Sequence, residues 1–498
     1  MIGVLIIGAF FLIPKQNEAF ATIATQNEKI IKIEAEIKRN METHNIPGMS
    51  FALVDHNGVV FSKGYGTLDI RDDSLEINEN TNFHIGSLSK VFVSLAIMKL
   101  QEERHIDIEK PVVDYLPWFS TKDEKLSRQI KIRHLLSHTS GLPGRLNVHD
   151  IEQTDSQEIM KEIKKKLKDV RLVGKPGDIY EYTNMNTDLL QLVIEEVTGE
   201  PFTTYMQDHL FAPLEMNRTG YFIFDDRHLS NTAMGHRYHW GKIKPYHEKL
   251  VYATSASAGL SSNVHDLSKF IQLLLNNGIS HSESMINTGS LNQMFQPVQD
   301  RMAYNWYVDP HNVYMEGGLP GFTSTMVLSS DKTFGLVLLS NSKQSITLGT
   351  GFNIFKIVKG EEPVPLLASD YSKLNADAQL LRSLAVFFSI ITLVVVGVTI
   401  VQIMMKKRKF SFVKLSAKEI GFTSMIIAAY LGVFYYLHVY APFKIGVPTI
   451  FSFQKEPDLV SAILIFSIMY SIFSVALLVR TLFIRKTNHR KDSSELKM

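Results

Sequence analysis

The sequence predicts an α+β domain, an antiparallel sheet flanked by helices and interrupted by a helical insert, with three transmembrane helices at its C-terminal end. Three observations predict this. A hairpin pattern opens the domain at Met49–Tyr65, and apolar strand patterns close it at Thr325–Leu328 and Gly335–Ser340. Residues between them follow helical spacing, and beyond residue 383 the chain becomes strongly apolar.

The first element is the apolar run Ile2–Ile13, followed by Pro14, Lys15 and Ala19-Phe20-Ala21, a pattern that a signal peptidase could cut. About twelve helical residues reach roughly 18 Å, short of a ~30 Å hydrocarbon core. Residues 1–21 therefore read as a secretory signal peptide or, since no Lys or Arg precedes the run, an N-terminal anchor. In the hairpin, Asp55-His56-Asn57-Gly58 separates two apolar runs, and Asn-Gly is a strong turn signal there. Helices are expected at Ser87–Glu103, at Thr187–Val197 closed by Gly199, and at Val264–Leu275 closed by Gly278. One globular domain is placed at 27–358. Glu361-Glu362-Pro363-Val364-Pro365 marks an extended linker, 359–382.

Spans are expected at 383–405, 420–440 and 459–479, none of which contains Asp, Glu, Lys or Arg. Lipid offers the backbone no hydrogen bonds, so such stretches must be helical. Lys406, Lys407, Arg408, Lys409, Lys414 and Lys418 follow the first span. Arg480, Arg485, Lys486, Arg490 and Lys491 follow the third, whereas Lys444 and Lys455 are offset by Glu456 and Asp458. The positive-inside rule makes the first loop and the 480–498 tail cytoplasmic. The expectation is a multi-pass protein of the cell membrane with its globular domain extracellular.

Lys and Arg number 52 and Asp and Glu 50, a net charge of +2, so nothing points to a nucleic-acid partner. The chain has no cysteine, which excludes disulfides, Cys-ligated zinc and a thiol nucleophile. Ser87 and Lys90 are three apart at the start of an apolar helix, on one face. A lysine can activate a serine once burial or a neighbouring cation lowers its pKa. Alone, the pair also suits a helix cap. Tyr182-Thr183-Asn184 can aim a phenol and an amide into one cleft, or be a packed tyrosine beside a capping amide. Gly317-Gly318-Leu319-Pro320-Gly321 lets a strand edge approach a ligand, or is an ordinary turn.

Together, in this order, these pieces resemble the serine hydrolases that include class C β-lactamases, D-alanyl-D-alanine carboxypeptidases, penicillin-binding proteins and related esterases. The resemblance covers roughly Ile33 to Val358. It includes His134-Leu135-Leu136-Ser137-His138-Thr139-Ser140-Gly141-Leu142-Pro143, Lys175-Pro176-Gly177, Ala212-Pro213-Leu214-Glu215-Met216 and Ala258-Gly259-Leu260. It implies a β-lactamase/transpeptidase-like fold and an acyl-enzyme on Ser87. Lys90 and Tyr182 match the pair that shuttles its proton, with Lys90 favouring the phenolate. Asn184 matches the amide that bonds substrate and lysine, and the N–H groups of Ser87 and Gly318, beside Gly317, match the oxyanion hole. No cofactor or metal is implied. The implied partners are a membrane and a small peptide or peptidoglycan-like substrate, with the oligomeric state left open.

One position departs from the family. Its third motif carries Lys or His where this chain has Met315-Glu316-Gly317. The expectation that follows is a preference for amides or esters without a carboxylate beside the scissile bond, unless His311 or Lys343 supplies the cation. The layout of a secreted domain followed by three spans is similar to the membrane-bound prodrug peptidases of non-ribosomal peptide pathways, such as the colibactin-maturation type. The leading function is thus a D-stereospecific peptidase or penicillin-binding-protein-like carboxypeptidase or β-lactamase relative. A binding or sensing protein without efficient turnover and an esterase are the alternatives. His134 with His138 and His236 with His239 have helical metal spacing but no third ligand. Lys161–Lys168 reads as a solvated helix face, and Trp118 and Trp306 as core more than cleft. The only ionisable span residue besides tyrosine is His438, which makes a solute path a poor reading.

Overall fold

The computed structural model describes residues 13–144, 146, 148–221, 231–239, 242–280, 283–343, 346–366, 370–410, 417–440, 457–481 and 483–485. The leader expectation at Ile2–Ile13 falls outside them up to residue 12, as do Lys414, Lys444, Lys455, Glu456 and the tail from Lys486. The chain divides into two compact units, Met1–Arg237 with Lys244–Ser369, and Tyr238–Ile243 with Asp370–Met498.

In the first unit, helix α1 (Ile13–His44) leads into β1 (Gly48–Asp55) and β2 (Gly58–Asp69), the antiparallel hairpin that the Asn-Gly signal predicts. The Asp55 carboxylate accepts the N–H groups of Asn57 and Gly58, and Gly58 takes a φ of +129°. Strand β3 (Asp72–Glu76) pairs with β2. The insert then supplies α2 (Ser89–Glu102), α3 (Ser156–Leu167), α4 (Asn184–Thr198), α5 (Ser255–Ala258) and α6 (Val264–Leu275). Strands β4 (Tyr307–Val308), β5 (Asn312–Leu319), β6 (Phe322–Ser329) and β7 (Phe334–Ser340) precede α7 (Thr347–Lys359).

The sheet order is β4-β5-β6-β7-β1-β2-β3. Its centre pairs β1 with β7, Met49 opposite Ser340 and Asp55 opposite Phe334, so the two ends of the domain meet there. β1 is buried on both faces, which is why it reads as a continuous apolar run. Phe51 and Leu53 pack with Ile33, Leu338 and Ile354 from the α1 and α7 side. Ala52 and Val54 join Val337, Leu339 and the helical insert. Val91 to Met98 are buried all round, making α2 the helix at the centre of that core. α4 ends on Gly199 at φ +73°, as the sequence predicts. α6 ends at Leu275, and both Asn277 and Gly278 take positive φ, so the reversal uses two residues instead of one. On α3, Ile159, Ile163 and Leu167 are buried while Lys161, Lys164, Lys165 and Lys168 are exposed, a solvated face. Trp306 is fully buried against Phe295, and Trp118 packs half-buried on the same core.

The linker differs from expectation. Among the described residues, 361–366 lack regular structure, and helix α8 (Asp370–Met404) begins well ahead of Ser383. Ala376, Ala378, Leu380 and Leu381 are strong helix formers, so helix propagates back from the apolar stretch. The second unit holds α8 with α9 (Ala417–Tyr435) and α10 (Pro457–Thr481). Its three stretches Ala376–Met404, Ile420–Val439 and Leu459–Thr481 are long and apolar enough to cross a membrane. Arg408–Phe410 pairs with Phe483–Arg485, and Arg408 Nη1 donates to the Arg480 carbonyl at 3.1 Å. The basic segment after α8 and the start of the basic tail therefore lie at one end of this unit.

Candidate active site

The nucleophile candidate sits in a single tight turn. Phe83–His84 pairs with Ser261–Ser262, and Ile85 N–H donates to the Leu260 carbonyl at 3.0 Å. Gly86 takes a φ of +55°, Gly86–Leu88 forms a 3-10 turn, and α2 follows at once. Ser89 Oγ donates to the Gly86 carbonyl at 2.6 Å and locks the turn. Ser87 thus stands at the N-terminal end of α2, where free N–H groups favour negative charge. Lys90, one turn on, is fully buried, and its Nζ donates to Ser87 Oγ at 3.0 Å and to the Ser257 carbonyl at 2.6 Å.

Tyr182 reaches the same oxygen. Its hydroxyl donates to Ser87 Oγ at 2.9 Å, and Lys90 Nζ lies 5.2 Å from its ring centroid. The structure thus brings Ser87, Lys90 and Tyr182 together from three places in the sequence. Asn184 opens α4 with its Oδ1 buried and without a partner among the described residues. It makes no hydrogen bond to Lys90, which uses the Ser257 carbonyl instead. Oδ1 is thus a buried acceptor whose hydrogen-bonding capacity is unspent among the described residues.

Gly317 and Gly318 lie on β5 against the nucleophile turn. A Cβ on Gly317 would fall 1.9 Å from the Ile85 carbonyl oxygen, and one on Gly86 would fall 2.9 Å from Gly318 N. Only glycine permits this approach, which sets the Gly318 N–H beside the Ser87 turn. Ser324 Oγ on β6 donates to the Ile85 carbonyl at 2.7 Å and ties sheet to turn.

The residues around Tyr182 are ones that the sequence reading left without a role. His138 is fully buried at a φ of +54° and stacks on the Tyr182 ring. Its Nε2 pairs with Asn305 Oδ1 at 3.1 Å, and its Nδ1 with Asn186 Nδ2 at 3.1 Å. Asn305 Nδ2 in turn donates to Ser94 Oγ on α2. The motif around His138 was visible, but its partners are too distant in sequence to be found by spacing. His134 Nδ1 accepts from the Lys131 N–H, and His236 bonds Ile70 N and the Asn341 carbonyl, so both have structural partners. Among the described residues no three His, Asp or Glu side chains group as a metal site.

Burial dominates the electrostatics. It lowers the Lys90 pKa, offset in part by the Asp188 carboxylate, and it raises that of Asp188. It pushes the Tyr182 phenol up to about 12, and the Asp188 and Glu316 carboxylates add to this. The phenolate expected for Tyr182 is therefore not the resting form, and Lys90 is the group that gives up its proton more readily. Burial also carries His138 down to about 3, so its ring is neutral.

Met315 is buried in the core and brings no charge to the cleft. Glu316 and Gly318 alternate onto the other, exposed face of β5, and Glu316 acts on both Tyr182 and Tyr307. His311 precedes β5 at the end remote from Gly318. Lys343 does reach the site, its Nζ 3.8 Å from where a Gly318 Cβ would sit. Burial raises the carboxyls of both Glu316 and Glu248, and the Lys343 charge offsets part of that rise.

An antiparallel sheet packed on a helical insert, with a buried lysine and a tyrosine on one turn-borne serine, defines the class: a serine-nucleophile hydrolase fold. The chain belongs to the beta-lactamase family, whose model matches residues 33–352. Protein flp of Staphylococcus aureus strain MW2 is 28% identical over 320 residues, 63% of this chain and 64% of that protein, so the chain spans just under two thirds of this relative. The putative penicillin-binding protein PbpX of Bacillus subtilis is 27% identical over 367 residues, covering 70% of this chain and 88% of that one. Among solved structures, the octameric penicillin-binding protein homologue of Pyrococcus abyssi has a TM-score of 0.58 at 23% identity, covering 71% of this chain and 81% of that chain. A class C beta-lactamase has a TM-score of 0.58 at 18% identity, covering 68% and 98%. These two show the shared fold.

Proposed function

We propose that this protein is a membrane-anchored, extracytoplasmic serine hydrolase that opens amide or ester bonds through an acyl-enzyme on Ser87. The carrying observation is that Lys90 Nζ and the Tyr182 hydroxyl both reach Ser87 Oγ. Neutral Lys90 takes the Ser87 proton as Oγ attacks the carbonyl carbon. The N–H groups of Ser87 and Gly318 hold the oxyanion. Tyr182 gives its proton to the leaving nitrogen or oxygen and is refilled from Lys90. Water then attacks the acyl group by the reverse route and restores Ser87.

The substrate class is a small D-amino-acid peptide or peptidoglycan-like amide, as in the penicillin-binding-protein-like carboxypeptidases. With Met315 buried, Glu316 on the cleft face and the Lys343 charge offset by Glu316 and Glu248, substrates without a carboxylate beside the scissile bond fit best. The same departure supports a second reading, a penicillin-binding sensor that acylates and releases slowly. Adjacent basic ends of α8 and α10 support placing both on the cytoplasmic side, with the domain outside.

The test is intact-protein mass spectrometry of the full chain in detergent after exposure to a penicillin and to a fluorophosphonate, with Ser87→Ala as control. Ser87-dependent fluorophosphonate labelling is expected. A lasting penicillin adduct favours the sensor. Rapid penicillin hydrolysis overturns the carboxylate-free preference, and no Ser87 labelling by either reagent overturns the acyl-enzyme.

A further inference from the structure

Strand β5 buries Val313, Met315, Gly317 and Leu319 and turns Tyr314, Glu316 and Gly318 to its other face. Two residues of a strand advance about 6.6 Å, so the Glu316 Cα lies roughly that far from the Gly318 backbone. Gly318 N is 2.9 Å from where a Cβ on Gly86 would sit, and Gly86 adjoins Ser87. Glu316 is therefore within reach of the acyl part of a substrate held at Ser87. Its side chain is exposed and uncommitted: among the described residues it makes no hydrogen bond and no ion pair. Enough protein surrounds it to raise its carboxyl, so a charge that meets it is screened less than on an open surface.

Tyrosines line the cleft beside it. Tyr180 and Tyr182 are alternate residues before α4, and both rings meet His138, with centroids 6.4 and 4.4 Å away. The Tyr180 hydroxyl pairs with that of Tyr307 at 2.9 Å, which bridges the insert to the edge strand β4. Tyr307 stands opposite Tyr314 in the sheet and stacks on it, with centroids 5.5 Å apart and planes 22° from parallel. The contacts thus run from Ser87 through Tyr182, Tyr180, Tyr307 and Tyr314 back to β5, with Glu316 between Tyr314 and Gly318. Ring faces and phenol oxygens both attract cations. Nearby described cations are Lys343, at the Gly318 end, and Arg301, at the Tyr314 hydroxyl, and neither forms an ion pair with Glu316.

We propose that Glu316 and the tyrosines beside it form a subsite for an ammonium group, and that the preferred substrates are amides or esters of amino acids whose α-amino group is free. The ammonium donates to the carboxylate and lies against phenol oxygens or a ring face, while the carbonyl next to it meets Ser87. An N-acylated or carboxylate-bearing substrate leaves Glu316 without a counter-charge and is disfavoured. This rests on the acyl-enzyme reading above and names the substrate class that its carboxylate-free cleft takes.

Intact-protein mass spectrometry of the full chain in detergent compares Ser87 acylation by the thiobenzyl esters of D-alanine and of N-acetyl-D-alanine. An ammonium also activates its own ester, so the ratio of the two rates is read against Glu316→Gln, an exposed change of equal size. The ratio is expected to fall about tenfold in the variant, the size of one charge-assisted hydrogen bond. An unchanged ratio overturns the subsite. A second arm needs no chemistry. By saturation-transfer NMR, full-length Ser87→Ala is expected to bind D-alaninamide more tightly than N-acetyl-D-alaninamide, and adding Glu316→Gln removes the difference. No preference for the free amine overturns the subsite whether or not Ser87 is acylated. If neither ester nor a fluorophosphonate marks Ser87 in the wild type, the acyl-enzyme reading falls, and the binding arm still decides the ammonium subsite.

Discussion

The rings of His138 and Tyr182 stack with centroids 4.4 Å apart and planes 28° from parallel. The stack makes the tyrosine's position depend on a histidine locked in one tautomer. Nδ1 must accept from Asn186 Nδ2 and from the Thr183 N–H, and Nε2–H then donates to Asn305 Oδ1.

That lock breaks in acid. The folded His138 pKa is lowered from 6.5 to about 3, so below pH 6.5 the unfolded chain takes up a proton that the fold refuses. Its stabilising contribution is complete above 6.5 and is lost as pH falls toward 3, on the order of 1 kcal/mol per pH unit. Melting temperatures at pH 7 and pH 5 are expected to diverge, and less so in His138→Gln. An equal slope in both proteins sinks this account, because His84 and His134, each lowered to about 4, are unchanged between them.

Tyr182→Phe keeps the stacked ring and deletes the hydroxyl that donates to Ser87 Oγ. Acylation of Ser87 is expected to slow by about 10²- to 10⁴-fold with little change in melting temperature. Labelling at the wild-type rate assigns the proton transfer to Lys90 alone.

Gly317 and Gly318 are neighbours with opposite tolerances. Gly317→Ala drives a methyl into the Ile85 carbonyl and is expected to cost about 1–3 kcal/mol or more and to disable Ser87. Gly318→Ala meets only Lys343 Nζ, at 3.8 Å, and keeps a folded domain. Thermal melts of the pair, with Ser87 labelling, read both effects; equal destabilisation is the contrary result.

Glu316→Gln removes the negative charge from the cleft face of β5. Acylation by carboxylate-bearing penicillins is expected to rise roughly tenfold relative to a neutral ester. The ratio of the two rates is the measurement, and an unchanged ratio means that Glu316 does not face the bound substrate.

Legibility in the sequence followed physical range. Ser87 and Lys90 could be paired because one helical turn separates them. The hairpin at Asn57-Gly58 and the stop at Gly199 are backbone requirements written locally. His138 could not be assigned, because its partner Asn305 is 167 residues away. Asp188 reads as an ordinary polar residue in an amphipathic helix, and only packing of α2, α4 and α5 reveals it as buried. The resting form of Tyr182 was hidden for a related reason: a motif shows the lysine beside the phenol but not the burial, nor the two carboxylates, that oppose its ionisation. The early start of α8 was hidden because its first turns carry enough polar residues to look like linker.

The pairing of β1 with β7 has a consequence for biogenesis. Because Met49 pairs with Ser340, and Gly86 packs on Gly318, the contacts that complete the site span most of the domain and give it a high contact order. During synthesis from the N-terminus, Ser87 emerges long before β5, the strand whose Gly318 packs on its turn. The apolar edge of β1 waits unpaired over the same interval and is a target for aggregation or chaperone capture. The cluster of Ser87, Lys90 and Tyr182 is therefore completed late, when the last strand closes the sheet, and a chain that stops short of β7 carries these residues without the sheet that packs on their turn.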